Sequence, residues 1–168
     1  RIKCPKTSGE MALRTLRVIG IGTGNPDHLT LEAVRALASV DAVFVLDKGA
    51  ETADLVDLRR LICERHIPPR PYRFVEVRDP PRDRRPADYG AAVEAWHAAR
   101  ATLLEALIAA ELGEAECGAF LVWGDPALYD STLRILERIT ARGRLAFTYD
   151  VIPGISSVQA LAARHRIP

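Results

Sequence analysis

The chain has 168 residues, of which 48% are hydrophobic and 27% are charged. This composition is typical of a globular domain and excludes a disordered chain, a collagen and a bundle of membrane helices. The formal net charge is +1, so overall charge gives no reason to expect binding to nucleic acid or to a membrane surface. No apolar run approaches the roughly 20 residues that span a bilayer.

The three cysteines, Cys4, Cys63 and Cys117, show no C-x-x-C spacing. An odd number without such spacing argues against a disulfide framework or a zinc site and favours a reducing cytoplasm. We expect Cys63 and Cys117 to be small buried apolar residues. Residues 1–11 are polar and aperiodic and are interpreted as an extension or a tag remnant, whereas residues 12–168 are predicted to form one domain with an exit helix.

Five apolar runs predict five strands, with helical periodicity between them. The strands are predicted at residues 18–19, 42–46, 72–77, 119–123 and 145–152. Apolar residues at helical spacing predict helices within residues 29–37, 55–62, 93–108 and 133–139, and a final helix after residue 154. Because strands that are nearly continuously apolar alternate with helices, the sequence predicts an α/β fold whose parallel sheet is covered on both faces.

Small and polar residues follow four of the predicted strands. They form the segments 20–26, 47–49, 124–126 and 153–157. The carboxyl ends of parallel strands meet at one edge of a sheet, and ligands of open α/β sheets bind outside that edge. The sequence therefore predicts a ligand site formed by these four segments.

The first segment is a glycine-rich turn, GIGTGN at residues 20–25. A dinucleotide-binding turn has its third glycine where this chain has Asn25, and the lysine of a phosphate-binding loop does not follow. The glycines fit either a bound ligand or simply a tight turn between a strand and a helix. Taken alone, this turn leaves an NAD(P)-dependent oxidoreductase open as an alternative.

Two more turns, GDP at residues 124–126 and PGISS at residues 153–157, each follow a buried strand. We expect a helix to begin after each turn, so that free backbone amides there hold a ligand carboxylate or hydroxyl. The alternative is that Asp125 and the two serines only cap the helices that follow.

Charged residues mark two further places at the same predicted edge. Asp47 and Lys48 follow the second strand, where an acid is placed to act as a base, although a solvated surface pair fits equally well. Six arginines lie between residues 70 and 85. They form either a solvated loop or a set that binds a polycarboxylate, because arginine pairs with carboxylates in bidentate fashion. The four histidines lack metal-ligand spacing, so no metal site is predicted.

The turns in this order resemble those of the tetrapyrrole methylases. The matching segments are VIGIGTGNPDHLT (18–30), FVLDKG (44–49), FLVWGDPALYDST (120–132) and VIPGISSVQAL (151–161). The resemblance covers residues 14–168 and implies a fold in which two α/β domains enclose a cleft. This chain is then expected to hold the parallel-sheet α/β/α N-terminal domain, with the second domain missing from it.

The resemblance implies a methyltransferase that uses S-adenosylmethionine and leaves S-adenosylhomocysteine as product. By motif, the cofactor contacts fall on Thr23, Trp123, Gly124, Asp125, Leu128, Tyr129, Ser156 and Ser157. Gly22 and Gly24 fall where substrate binds. The acid that accepts a proton in relatives falls on Asp47, with Asp130 as second choice.

Further segments, LICERHI (61–67), YRFVEV (72–77) and DPPRDRRPADY (79–89), resemble one branch of the family. They imply methylation of C1 of precorrin-5 with hydrolytic release of acetate, in aerobic cobalamin biosynthesis. A tetrapyrrole with many carboxylates favours Arg82, Arg84 and Arg85 as a substrate clamp. The resemblance also implies a homodimer, with no nucleic-acid or membrane partner. A methylase for another precorrin and a domain that only binds are the alternatives.

Overall fold

A parallel sheet of five strands organises the chain. The strands are β1 (Arg14–Gly20), β2 (Ala42–Asp47), β3 (Arg73–Arg78), β4 (Cys117–Val122) and β5 (Phe147–Ile152). Their order in the sheet is β3-β2-β4-β1-β5, and all four pairings are parallel. The computed structural model describes residues 13–49, 53–83 and 85–168. The predicted extension at residues 1–11 and the predicted clamp residue Arg84 therefore lie outside the described residues.

In the part of the chain that the structure describes, five α-helices connect or follow the strands. They are α1 (Leu31–Leu37), α2 (Ala53–His66), α3 (Tyr89–Glu111), α4 (Thr132–Arg142) and α5 (Ser157–His165). The predicted alternation of strands and helices is confirmed, and the main difference is the length of α3. It begins at Tyr89 because the Asp88 carboxylate caps it, accepting a hydrogen bond of 3.0 Å from the Ala91 backbone N–H.

The strand order explains which face each helix covers. The chain runs from β1 outward to β2 and β3, then returns to β4 and crosses β1 to reach β5. Right-handed crossovers place the helices of the outward path on one face and those of the return path on the other. Accordingly, α1 and α2 contribute to one apolar cluster, and α3 and α4 to a second. The predicted three-layer α/β/α arrangement is confirmed.

Alternate side chains of the central strands supply both clusters. On β1, Leu16 and Val18 pack with α3 and α4, whereas Ile19 packs with α1 and α2. All six residues of β4 are buried, as expected for a central strand with both faces covered. Cys63 and Cys117 are buried, as predicted. Among the described residues, no helix is long and apolar enough to cross a membrane.

The change of direction creates the place where a ligand fits. The connection after β1 leaves on one face and the connection after its neighbour β4 leaves on the other. Such a switch point opens a crevice outside the carboxyl ends of the two strands, and ligands of open α/β sheets bind there. The glycine turn after β1 and the GDP turn after β4 meet at this point.

Candidate functional site

Three of the strand exits are packed directly against one another through glycines. A Cβ atom added to Gly20 would lie 2.6 Å from the Gly154 nitrogen and 2.8 Å from the Gly124 carbonyl oxygen. Gly22 and Gly124 form an isolated β-bridge, in which the Gly124 N–H donates to the Gly22 carbonyl oxygen at 2.7 Å. Gly20 and Gly154 are required because backbone approaches backbone, and so close an approach excludes any side chain, whereas Gly22 and Gly124 have positive φ values of 76° and 63° that favour glycine.

The Asp125 carboxylate ties two of these turns together. Its Oδ1 accepts from the Ala127 N–H at 2.8 Å, and its Oδ2 accepts from the Gly154 N–H at 2.9 Å. Both bonds are to a charged acceptor and are therefore stronger than bonds between neutral groups. The interpretation that Asp125 caps a helix is wrong, because α4 begins only at Thr132. Asp125 instead holds the GDP turn against the PGISS turn.

A cleft with a volume of about 430 Å³ opens beside these turns. We call it the glycine cleft; its lining residues are Gly22, Thr23, Lys48, Trp123, Gly124, Asp125, Leu128, Tyr129, Asp130, Ser156, Ser157 and Val158. All eight residues named for the cofactor lie in this set, together with Gly22 and Asp130. Gly24 is not in it: Gly24 is exposed, with a positive φ of 105°.

Residues 123–131 form a loop rather than the start of a helix. The expectation that Leu128 and Tyr129 lie on the helix after the GDP turn is therefore wrong. The Asp130 carboxylate accepts from the Thr132 N–H at 2.6 Å, which turns the chain before α4 begins. Tyr129 has a left-handed φ of 59° and a fully exposed side chain. The loop thus presents two exposed apolar side chains at the mouth of the glycine cleft.

The PGISS turn supplies one cap and one exposed hydroxyl. Ser156 is buried and caps α5 by accepting from the Gln159 N–H at 3.2 Å, while the Gln159 side chain accepts from the Ser156 N–H at 2.8 Å. This reciprocal capping box confirms that Ser156 caps the helix. Ser157 is exposed at the first position of α5 and lines the glycine cleft.

An arginine lies behind the wall of the glycine cleft. Arg59 of α2 stacks on the Trp123 ring at 4.8 Å, and its Nε donates to the Leu121 carbonyl oxygen at 3.0 Å. Burial lowers the pKa of Arg59 to about 10, so its guanidinium stays charged at neutral pH. Within the described residues, the Trp123 indole N–H is buried without a hydrogen-bond partner. An unpartnered buried donor beside a cleft is available to a ligand acceptor.

The two predicted catalytic acids occupy different surroundings. Asp130 is exposed and lines the glycine cleft. Asp47 does not line it; its Oδ1 accepts from the Gly49 N–H at 2.7 Å, and its Oδ2 pairs with Arg78 at 3.1 Å. The Gly49 amide and the Arg78 guanidinium lower the pKa of Asp47. A lower pKa makes a carboxylate a weaker base, so the geometry favours Asp130 over Asp47 as a proton acceptor.

The six arginines between residues 70 and 85 do not act as one group. Arg70 pairs with Asp41 and Arg73 pairs with Glu116, both near the amino ends of the strands and thus away from the glycine cleft. Arg85 is exposed, and its backbone N–H donates to Asp83. The interpretation of the whole segment as a single polycarboxylate site is therefore wrong.

Arg78 and Arg82 instead line a second cavity, of about 840 Å³, beside the end of β3. We call it the cation cavity; its lining residues are Lys48, Arg78, Asp79, Pro80, Pro81, Arg82, Asp83, Tyr89 and Trp96. Lys48 lines both cavities, because β2 lies between β3 and β4 in the sheet. The sequence places Lys48 at the exit of the second strand and Trp96 in the helix predicted within residues 93–108, but it does not show that they line one cavity, since that depends on which strands and helices are neighbours.

The proline-rich loop that forms this cavity is anchored rather than simply solvated. Asp79 forms a buried bidentate ion pair with Arg100 of α3, with distances of 2.7 and 3.1 Å. The Trp96 indole N–H donates to the Pro80 carbonyl oxygen at 3.0 Å. Arg100 makes a third hydrogen bond: its Nη1 donates to Ser131 Oγ at 2.9 Å, in the loop that carries Asp130. The described residues contain no group of three or more metal-ligating side chains.

Comparison with known proteins places the fold in a family. Residues 15–168 match the family described as tetrapyrrole (corrin/porphyrin) methylases. The chain belongs to the tetrapyrrole methylase family. It is 52% identical over 159 residues to a precorrin-6A synthase (deacetylating) of Sinorhizobium sp, covering 95% of this chain and 61% of that protein.

Solved structures agree with this assignment. A cobalamin synthesis related protein (CobF) of Corynebacterium diphtheriae superposes with a TM-score of 0.72 and 42% identity, covering 94% of this chain and 60% of that one. The uroporphyrin-III C-methyltransferase of Thermus thermophilus, solved with S-adenosylhomocysteine, superposes with a TM-score of 0.50 and 19% identity, covering 88% and 48%. The second likeness concerns the fold alone. The chain thus spans about three fifths of the length of the Sinorhizobium and Corynebacterium diphtheriae relatives.

Proposed function

We propose that the glycine cleft binds S-adenosylmethionine and that the protein transfers its methyl group to a ring carbon of a tetrapyrrole. The observation that carries this proposal is the convergence of three strand exits on one cleft. The eight residues chosen by motif come from turns that are far apart in the chain, and all of them line it. Since the exits of neighbouring parallel strands share one edge in any case, the support lies in the agreement between the positions chosen by motif and the residues that line the cleft.

The cleft suits an adenosyl cofactor in size and chemistry. Its volume of about 430 Å³ lies in the range of small-molecule sites, about 300–1,000 Å³. Backbone of the glycine turns leaves room for close approach, Leu128 and Tyr129 offer apolar surface, and Ser157 offers a hydroxyl. The unpartnered Trp123 N–H is a donor that a bound acceptor can satisfy.

The protein's part in this reaction is positioning. When bound, S-adenosylmethionine supplies a methyl group on a sulfonium sulfur, and a ring carbon can take it by direct displacement. The side chains then need only align the two centres and exclude bulk water, which supplies much of the rate in such reactions. Rigid strand exits, fixed by Asp125 and by the glycine contacts, are suited to this task.

We further propose that the acceptor is C1 of precorrin-5 and that the acetyl group leaves as acetate, in cobalamin biosynthesis. The precorrin-6A synthase (deacetylating) that is 52% identical over most of this chain supports this choice. Release of acetate requires water to lose a proton to a nearby base. Asp130 in the cleft is the first candidate for that base, and Asp47, which is held by Arg78, is the second.

The family and the composition support three further expectations. We infer a cytoplasmic enzyme, because an odd number of cysteines without C-x-x-C spacing argues against a disulfide framework. We infer a homodimer from the resemblance to the family. A net charge of +1 gives no support for a nucleic-acid partner.

The NAD(P) alternative makes a different prediction for the first turn. Asn25 stands where a third glycine would be needed, and its side chain accepts from the Asp27 N–H at 3.0 Å to begin a short 3-10 turn. The helix α1 therefore begins only at Leu31, and not directly after the glycine turn as a pyrophosphate-binding helix would. The geometry therefore supports the methyltransferase over the oxidoreductase.

Calorimetric titration tests the cofactor. We expect S-adenosylhomocysteine to bind and NADH not to bind. Asp125→Ala should weaken the binding of S-adenosylhomocysteine by about tenfold, since one charge-assisted hydrogen bond between the turns and one within the GDP loop are lost. Asp150→Ala, which removes another exposed acid on β5, is the matched control and should change affinity by less than about twofold. Binding of NADH instead of S-adenosylhomocysteine would refute the proposal.

Product analysis tests the base. With precorrin-5 and S-adenosylmethionine, Asp130→Asn should lower acetate release by about 100-fold, the lower end of the range for loss of a general base. Asp47→Asn should lower it less, because that carboxylate does not line the cleft. The reverse ranking would assign the base to Asp47.

A further inference from the structure

The cation cavity carries charge that the structure does not neutralise. Lys48 forms no hydrogen bond or ion pair with any described residue, and Arg78 contacts Asp47 through one nitrogen while its side chain stays 69% exposed. Two acids also line the cavity. Asp79 is already satisfied by Arg100, which leaves Asp83 as the acid facing three cations.

The arginines of this cavity are held in place. The Arg82 guanidinium lies 5.5 Å from the Tyr89 ring and 5.4 Å from the Trp96 ring, and it donates to the Tyr89 hydroxyl at 2.7 Å. Arg78 packs over Gly49, where a Cβ atom would lie 2.7 Å from its Nη2. Pre-positioned guanidinium groups lose little freedom on binding, which raises their affinity for a planar anion.

We propose that the cation cavity is a subsite for carboxylate side chains of the substrate, with Lys48, Arg78 and Arg82 as its ligands. The inference rests on the proposed function, since a tetrapyrrole with acetate and propionate arms is the substrate class that it names. Lys48 lines both cavities, so one ligand can reach from the glycine cleft to the arginines. The subsite fixes one edge of the ring while a ring carbon faces the methyl donor.

The chain contains two tryptophans, and each reports on one cavity. Trp96 lines the cation cavity and Trp123 lines the glycine cleft. In a Trp123→Phe background, Trp96 is therefore the single indole emitter. Uroporphyrin, which carries acetate and propionate arms, is the probe, and quenching of Trp96 measures its binding. Coproporphyrin, which lacks the acetate arms, is the comparison ligand.

We expect Arg82→Gln to raise the half-saturating concentration of uroporphyrin by about tenfold, as for loss of a charge-assisted pair, with partial recovery in Arg82→Lys. Lys48→Gln should act in the same direction, and coproporphyrin should bind more weakly than uroporphyrin. Arg144→Gln is the control, because Arg144 is exposed before β5, at the opposite edge of the sheet.

Two results would overturn the subsite: equal uroporphyrin affinity in Arg82→Gln and the unaltered chain, or an equal loss in Arg144→Gln, which would indicate overall charge alone. Titration of Arg82→Gln with S-adenosylhomocysteine separates the two proposals, because Arg82 does not line the glycine cleft. Failure of S-adenosylhomocysteine to bind even the unaltered chain would refute the proposed function. If uroporphyrin binding still depended on Arg82 in that case, the carboxylate subsite would stand without the proposed function.

Discussion

The glycine cleft and the cation cavity lie side by side at one edge of the sheet but are built from different parts of the chain. Backbone shapes the cleft: glycines of three strand exits touch, and Asp125 bonds to amides. Side chains shape the cavity, through the Asp79–Arg100 pair and the aromatic rings around Arg82. Side chains of the cation cavity can therefore change without disturbing the backbone that shapes the glycine cleft.

The largest effect is expected from loss of the buried Asp79–Arg100 ion pair, which holds the side chains around the cation cavity. Arg100→Met leaves the buried Asp79 carboxylate unpaired, and we expect the free energy of unfolding to fall by about 4 kcal/mol. Asp79→Leu/Arg100→Met should recover much of this loss, since replacing both charges by apolar groups removes the unpaired ion. Urea denaturation measures both. Arg138→Met, which breaks an exposed pair with Glu94, should lower the free energy of unfolding far less than Arg100→Met does. A similar cost at both arginines would mean that burial of the Asp79–Arg100 pair is unimportant.

The next largest effect is expected from disturbing the backbone contact between Gly154 and Gly124 beside the glycine cleft. The methyl group of Gly154→Ala would overlap the Gly124 carbonyl oxygen. Since backbone cannot move aside as a side chain does, we expect a loss of about 3 kcal/mol in unfolding free energy and loss of S-adenosylhomocysteine binding. Gly90→Ala is the matched control, because its Cβ would lie 3.4 Å from the Asp88 side chain, in ordinary contact. An unchanged melting temperature in Gly154→Ala would show that the turns are not held in contact.

A smaller effect concerns the core beneath the cleft. Burial raises the pKa of Cys63 to about 12, whereas a cysteine in an unfolded chain titrates near about 8.5. The unfolded chain therefore loses the thiol proton at a lower pH than the folded chain does. The contribution of this thiol to the free energy of unfolding is fully present below about pH 8.5 and is lost as the pH rises toward the folded pKa of about 12. Between about pH 8 and about pH 10 we expect a loss of about 2 kcal/mol, measured by urea denaturation. Cys63→Ala should flatten this dependence, and an equally steep fall in that variant would assign it to other groups.

The smallest effect separates stability from binding at the mouth of the cleft. Tyr129 has a positive φ that asparagine tolerates better. We expect Tyr129→Asn to raise the free energy of unfolding by about 0.5 kcal/mol, because asparagine relieves the backbone strain. The same substitution should weaken the binding of S-adenosylhomocysteine, because exposed aromatic surface is lost. Leu128→Asn removes a neighbouring apolar side chain without a positive φ and should weaken binding with no gain in stability. Calorimetry and thermal melting measure the two quantities, and equal melting shifts in both variants would exclude backbone strain as the cause.

The sequence predicted the backbone-built half of the site far better than the side-chain-built half. Glycine turns, apolar strands and Ser156 as a cap are local patterns, so they could be found without knowing the fold. The helix expected directly after the GDP turn was wrong because Asp125 bonds to Gly154, a partner distant in the chain. Arg59 behind Trp123 and Lys48 between the cavities depend on which strands and helices become neighbours. No local pattern encodes such contacts.

The position of β1 has a consequence for how the chain acquires its shape during synthesis. Both neighbours of β1 in the sheet, β4 and β5, follow it by most of the length of the chain. An apolar strand that leaves the ribosome early therefore remains without its hydrogen-bonding partners until the residues after Cys117 have been translated. By contrast, β2 and β3 pair with each other across a single helix. The edge formed by β2 and β3, which leads into the arginine-bearing loop, can form while the polypeptide is still growing. The glycine turn and the GDP turn can meet once β4 has been made, and the PGISS turn joins them only after β5 has been made.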